Sequence, residues 1–331
     1  MKLTFVLSAL LLGGASAQNV VEVAVNAPDT FSTLVDLVVT AGLADTLTNA
    51  EDITVFAPTN DAFTALGTAA PAVLANLLTD EWASHLQDVL LYHVLPAEVP
   101  SSAVTDGLTA TALNGEDLSF TVNDNGVFVN TASQVVLADV AASNGVIHAI
   151  NNPLLPSWVT NTIVDRAVES PALTTLVDLV VAAGLAETLA GPGPFTVFAP
   201  TNDAFVEFLD GADPASLDMD LVSSVLTYHV VPGIYTAGQI TDGLTLTTVQ
   251  GEELTFTTMD GSAMVNEESI VATDILANNG IVHVIGGVLV PPMEAMATDT
   301  PMMKEESSAS SFATTTAALL VGFGVAMGGL F

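Results

Sequence analysis

Histidines are the side chains in this sequence best suited to acid–base or metal chemistry, and four of the five form matched pairs. His93 and His229 stand in "VLLYHVL" and "VLTYHVV", and His148 and His283 in "NGVIHAI" and "NGIVHVI"; His85 stands alone. An imidazole could ligate a metal or move a proton near neutral pH. The neighbours argue otherwise, because the runs around His93 and His229 are apolar enough to be buried. A residue present in both copies of a duplicated unit is first expected to serve the shared fold. Gly-x-Ser-x-Gly, His-Glu-x-x-His, Gly-x-Gly-x-x-Gly and a phosphate-cradling glycine loop are all absent. The common hydrolase, zinc-protease and nucleotide-enzyme signatures are therefore missing. The expectation is a chain without catalysis, cofactor or metal site, whose paired histidines hold loops or neighbouring strands.

Those histidines need elements to position them, and the elements are spelled twice. "TVFAPTNDAF" begins at Thr54 and again at Thr196; "TLVDLVVTAGLADTL" from Thr33 is answered by "TLVDLVVAAGLAETL" from Thr175. "YHV" at Tyr92 returns at Tyr228, and "TDGLT" at Thr105 returns at Thr241. The words keep their order at a spacing too long for a solenoid repeat and right for a whole domain, so the chain is two copies of one module. In the first copy Phe31, Leu34, Val35, Leu37 and Val38 share a helical face that Gly42 terminates. "ITVFAPTN" predicts a strand stopped by Pro58. Thr59, Asn60 or Asp61 then caps the helix "DAFTAL". Pro200, Thr201 and Asn202 repeat that corner. A helical stretch over 71–90 leads into "LLYHVLP". Two alternating runs follow, turned at Asn125-Gly126 or Asp260-Gly261. Helices before strands give an α+β module, with helices beside a mostly antiparallel sheet assembly.

There are 37 Asp and Glu against 3 Lys and Arg, a net charge of −34, and half the residues are hydrophobic. Such a chain has material for cores but repels nucleic acid and bare anionic lipid. It attracts cations and basic proteins. The absence of cysteine excludes disulfides and thiolate sites. "NDNG" from Asn123 lacks the rest of a calcium loop and reads as a turn. Residues 1–17 read as a secretory signal peptide. At the other end, 293–316 form a Ser/Thr-rich stalk and 317–331 an apolar tail. Fifteen helical residues reach about 22 Å, short of a hydrocarbon core of about 30 Å. Small residues, a spacer and that tail form the signal for exchange with a glycosylphosphatidylinositol lipid, placed at Ser307 or Ser308. The domains are then 18–156 and 157–292, displayed outside the plasma membrane or in a wall or matrix.

The strand-Phe-Ala-Pro-Thr-Asn word, then Tyr-His, then Asn-Gly-(Val/Ile)-(Ile/Val)-His resembles the fasciclin-like (fasciclin I) domain family, over about 19–156 and 159–292. The resemblance implies two tandem domains, each a β-sandwich or wedge with flanking α-helices, in secreted or anchored adhesion proteins. It also implies contact residues. Asp274-Ile275-Leu276 matches an Asp-Ile motif that, with the Tyr-His region (Tyr92, His93, Tyr228, His229), is implicated in integrin contact in animal members. Thr273 replaces the motif's frequent Lys, and Asp139-Val140-Ala141 is a poorer match. The implied partner is a protein or polysaccharide on a neighbouring cell or matrix, or a second copy bridged by calcium. The alternatives are an acidic component of a wall or mineralised coat, held by divalent cations, and, third, an enzyme using the paired histidines.

Overall fold

The computed structural model describes residues 18–211, 217–259 and 262–292. The signal segment, the stalk with Ser307 and Ser308, the apolar tail and the Asp260-Gly261 turn lie outside the described residues. The chain divides into two compact units between Val159 and Thr160. Residues 157–158 are tied into the first, since Ser157 N–H donates to Glu116 (2.9 Å) and Trp158 Nε1 to Asp88 (2.8 Å).

In the first unit, α1 (Val20–Val25), α2 (Pro28–Thr40) and α3 (Ala44–Asn49) precede strand β1 (Ile53–Pro58). Helices α4 (Asn60–Ala69), α5 (Pro71–Leu77) and α6 (Ala83–Tyr92) follow it. Then come β2 (Val94–Leu95), β3 (Thr109–Thr111), β4 (Asp117–Asn123), β5 (Gly126–Val129), β6 (Ser133–Ala142) and β7 (Gly145–Ile150). The sheet order is β2-β1-β7-β6-β5-β4-β3, antiparallel except for the β1–β7 pair. Leu113 N–H donates to Val94 O (2.9 Å), tying the two ends of the sheet into a near-closed barrel. Phe56, Leu118, Phe120, Val129 and Ile150 fill its interior. Both faces of β1 and β7 are buried, so they read as continuous apolar runs, whereas β4 alternates.

Helix α2 buries Phe31, Leu34, Leu37 and Val38. It ends as its sequence predicts: Gly42 takes φ 69°, Gly42 N–H bonds Val39 O, and Leu43 N–H bonds Val38 O. That pair of bonds is the Schellman motif, and Gly184 repeats it.

The second unit repeats the plan. Its helices are α7 (Ile163–Glu169), α8 (Thr174–Ala182), α9 (Ala186–Leu189), α10 (Asn202–Leu209) and α11 (Met219–Tyr228). Its strands are β8 (Phe195–Pro200), β9 (Val230–Pro232), β10 (Thr245–Thr247), β11 (Glu253–Met259), β12 (Ser262–Val265), β13 (Glu268–Ala277) and β14 (Gly280–Ile285). The order is β10-β11-β12-β13-β14-β8-β9, again with one parallel pair, β14–β8. Val249 N–H closes the ends onto Val230 O (2.7 Å).

Two sequence expectations are corrected. The helical stretch over 71–90 is broken: Thr79 is extended (ψ 147°) and its hydroxyl donates to Asn76 O, so a 3₁₀ turn, Asp80–Trp82, intervenes before α6. The first hairpin turns at Asp124-Asn125, one residue earlier than expected. Asn123 Oδ1 accepts the Asn125 N–H (2.8 Å), an Asx turn that places the tip there, and Gly126 (φ 123°) opens β5.

Candidate functional site

Strands β6 and β13 each slip register twice against β7 and β14. At the second slip Asp139 and Asp274 adopt left-handed backbone, φ 58° and 59°. That conformation costs an ordinary residue about 1–2 kcal/mol. Here long-range side-chain bonds hold it. Asp139 accepts from the Ser101 N–H (2.7 Å) and from the Ser101 hydroxyl, and Asp274 Oδ1 accepts from the Ala237 N–H (2.9 Å). Each carboxylate thus tethers the start of a 3₁₀ turn, Ser101–Ala103 or Ala237–Gln239. The two Ser101 donors hold the Asp139 carboxyl below its usual range.

Beneath each bulge lies one of the sequence's paired histidines. His148 Nδ1 accepts from the Asp139 N–H (3.2 Å), and His283 Nδ1 from the Asp274 N–H (3.3 Å). The opposite nitrogens, Nε2, face the Val99 carbonyl (2.9 Å) and the Tyr235 carbonyl (2.7 Å). A carbonyl can only accept, so both rings are assigned as neutral Nε2–H tautomers. Each stacks on the strand that carries the repeated word, against Phe56 (5.6 Å) or Phe198 (5.5 Å). Burial pushes the His283 pKa down, opposed in part by the Tyr235 carbonyl and by Asp274.

His93 and His229 use the other tautomer. Nδ1–H donates to the carbonyl four residues back, Val89 or Val225 (both 2.7 Å). Nε2 accepts from the Leu154 or Leu289 N–H (2.8 and 2.9 Å), pinning the irregular segment that follows the last strand to the end of a helix. Burial lowers both pKa values to about 4. The neighbouring phenols are anchored too: Tyr92 donates to Asp117 O and accepts from Asn130, and Tyr228 does the same with Glu253 O and Asn266. Burial pushes both phenol pKa values up. Every nitrogen of the four paired imidazoles is engaged by the main chain, so in this arrangement none presents a free lone pair to a metal or a substrate. Among the described residues no group of three or more such side chains is arranged to hold a metal ion.

The residues expected to make contacts therefore divide. Tyr92, His93, Tyr228 and His229 are buried. Asp274 is exposed at the crest of the bulge, with Ile275 and Leu276 half-buried behind it. Arg166 Nε donates to Leu276 O (2.9 Å) and its Nη1 pairs with Glu169, fastening that end of β13 to α7. Val136, Leu137 and Val271, all more than half exposed, lie on the same bulged strands.

The strand-to-helix corner has a definite job. Thr59 and Thr201 are the N-caps, their hydroxyls accepting from Ala62 and Ala204 N–H. Asn60 accepts from the Thr33 N–H and donates to Pro28 O and Asp29 O; Asn202 accepts from the Thr175 N–H and donates to Pro171 O. Pro58 and Pro200 end the parallel ladder opposite Ile150 and Ile285.

Sequence reasoning missed a second asparagine hub. Asn144 accepts from the Val20 N–H and donates to Leu47 O and Ala50 O; Asn279 accepts from the Ile163 N–H and donates to Leu189 O and Gly191 O. The signal was the duplication of Asn together with the Gly that follows it. A Cβ on Gly145 or Gly280 would lie 1.9 Å from the Ile53 or Phe195 carbonyl oxygen.

Comparison with known proteins agrees with this architecture. The family described as "Fasciclin domain" matches residues 29–156 and 171–291. Protein sll1483 of Synechocystis sp. is 45% identical over 135 residues, 40% of this chain and 74% of that protein. Transforming growth factor-beta-induced protein ig-h3 of Sus scrofa is 31% identical over 278 residues, 84% of this chain but only 38% of the relative. Among solved structures, a FAS1 domain pair from the insect cell adhesion molecule Fasciclin I aligns with TM-score 0.42 and 17% identity. That alignment covers 80% of this chain and 98% of the other.

Proposed function

From the premise that this chain belongs to the fasciclin domain family and carries the domain twice, we propose that it is a surface adhesion or matrix-contact protein, anchored by a glycosylphosphatidylinositol lipid, that binds through its two bulges. Fasciclin domains are a non-catalytic, generally extracellular fold. The observation that carries the reading is the duplicated bulge. A left-handed Asp stands exposed on a strand fixed from below by a fully hydrogen-bonded histidine, next to exposed Val136 and Leu137 in one unit and Val271 in the other. Such a site is rigid without its partner, so binding orders little and one weak contact per module is multiplied by many copies on a surface.

The charge supports a second element. At −34 two copies repel, and divalent cations would be required to bring acidic faces together. Beads coated with the mature chain are expected to clump at neutral pH in millimolar calcium and to disperse in chelator. Asp274→Ala and Asp139→Ala together should abolish the clumping. Beads that stay dispersed in calcium would overturn the homophilic form. Retention on wall or mineral in calcium, unaffected by those substitutions, would favour the acidic coat component instead.

A further inference from the structure

The contact reading leaves unexplained why each bulge rests on an imidazole, when an Asn or a water could accept the same N–H. A backbone N–H needs only a lone pair, and the imidazole is the one side chain whose lone pair is lost to a proton just below neutral pH. We infer that His283 is an acid-operated latch, whose protonation at Nδ1 remodels the bulge that displays Asp274. This is a proposal about regulation of the site named above, and rests on that reading for its biological meaning only.

The chemistry follows from the contacts. A proton from solvent adds to the Nδ1 lone pair, and the acceptor of the Asp274 N–H becomes an N–H donor. Two donors then face each other across 3.3 Å. Nε2–H keeps its bond to Tyr235 O, so the ring stays in place and the bulge is the part that moves. The charged group facing the His283 ring is the Asp274 carboxylate on β13. The Phe198 ring on β8 is apolar, and the loop after β9 offers the Tyr235 carbonyl. Only that carboxylate can answer an imidazolium, and turning toward it means leaving the Ala237 N–H. The first unit presents the same set of contacts: Asp139 from β6, Phe56 from β1 and the Val99 carbonyl, with Ser101 as the donor to the carboxylate. Acid thus exchanges one arrangement of the exposed carboxylate for another, with the barrel behind it undisturbed.

The test is a titration of the whole chain by heteronuclear NMR from pH 7.5 to 5, without any partner. The Asp274 amide signal is expected to move reversibly, with the same midpoint as the His283 ring signals, while the Leu254 and Phe256 amides stay fixed. His283→Gln should flatten the Asp274 response. The inference is overturned if the His283 ring titrates while the Asp274 amide stays still, if that ring does not titrate in that range, or if the Asp274 and core amides move together. Should the variant not fold, the parent titration decides the matter alone. Bead clumping at fixed neutral pH tests the contact reading separately, so failure of one is distinguishable from failure of the other.

Discussion

Lowering the pH from 7 to 5 should weaken each unit chiefly through one histidine, His93 in the first and His229 in the second. Both are fully buried and neutral, with Nε2 accepting a backbone N–H, and both have pKa values lowered from 6.5 to about 4. The folded state therefore prefers the unprotonated ring, and unfolding takes up protons in the window between those values. Stability from this source is complete above about pH 6.5 and is lost as the pH falls toward and through 4. Linkage puts the loss at about 2 kcal/mol per unit by pH 5 and about 3 kcal/mol by pH 4, with about 0.9 proton taken up per unit at pH 5. Protonating the acidic surface acts in the opposite sense, because it relieves self-repulsion. The assay therefore needs a non-titrating reference: urea unfolding at pH 7 and 5 for the parent chain and for His93→Asn with His229→Asn. The variant is weaker at neutral pH but should lose much less on acidification. Ring resonances of folded His93 and His229 that titrate near 6.5, or an equal acid loss in parent and variant, would refute the reasoning.

Other substitutions test the frame. Asn202→Ala strands the Thr175 N–H and the Pro171 carbonyl and should cost about 2 kcal/mol in denaturant unfolding of the second unit. Gly280→Ala drives a methyl into the Phe195 carbonyl and should cost about 3 kcal/mol or more. Gly42→Ala, with open space around it but φ 69°, should cost only about 1 kcal/mol; equal losses at the two glycines would falsify the close-approach argument. In the turn between β12 and β13, Asn266 and Glu267 both have positive φ, 44° and 72°. Glu267→Gly should stabilise by about 1 kcal/mol, read as a higher thermal midpoint, because Gly enters that conformation freely.

Much of this architecture was legible in the residues. Duplicated words gave the number of modules, Gly42 announced a helix end, and the Thr59-Asn60-Asp61 corner announced a helix start without saying which of the three caps it. What stayed hidden was whatever depends on which strand lies beside which. Alternation places Phe120 inside, but it does not say that β1 pairs with the distant β7 in parallel, so the crowding at Gly145 was not readable. The bulge aspartates looked like a contact motif or a loop turn. Their left-handed backbone arises from a register slip that no local pattern records. The primed turn of the second unit at Asn266-Glu267 was missed for a related reason: Glu replaces the Gly that normally marks such turns, and the Asn266 side chain supports the turn by bridging Thr255 N–H and the Tyr228 hydroxyl. The two opposite tautomers of the paired histidines follow only from the carbonyls and amides that surround them.

The one parallel pairing in each sheet also sets a timetable for synthesis. Ile53 meets Gly145, and Phe195 meets Gly280, so the parallel ladder joins segments about 90 residues apart, a separation that slows folding. Neither barrel can close until its last strand has left the ribosome, and until then the apolar β1 or β8 has no partner on one side. The first unit, whose closing strand ends at Ile150, can complete itself while the second is still being made. The identical "TVFAP" stretches of β1 and β8 could otherwise pair with the wrong closing strand, and sequential emergence separates the two choices in time.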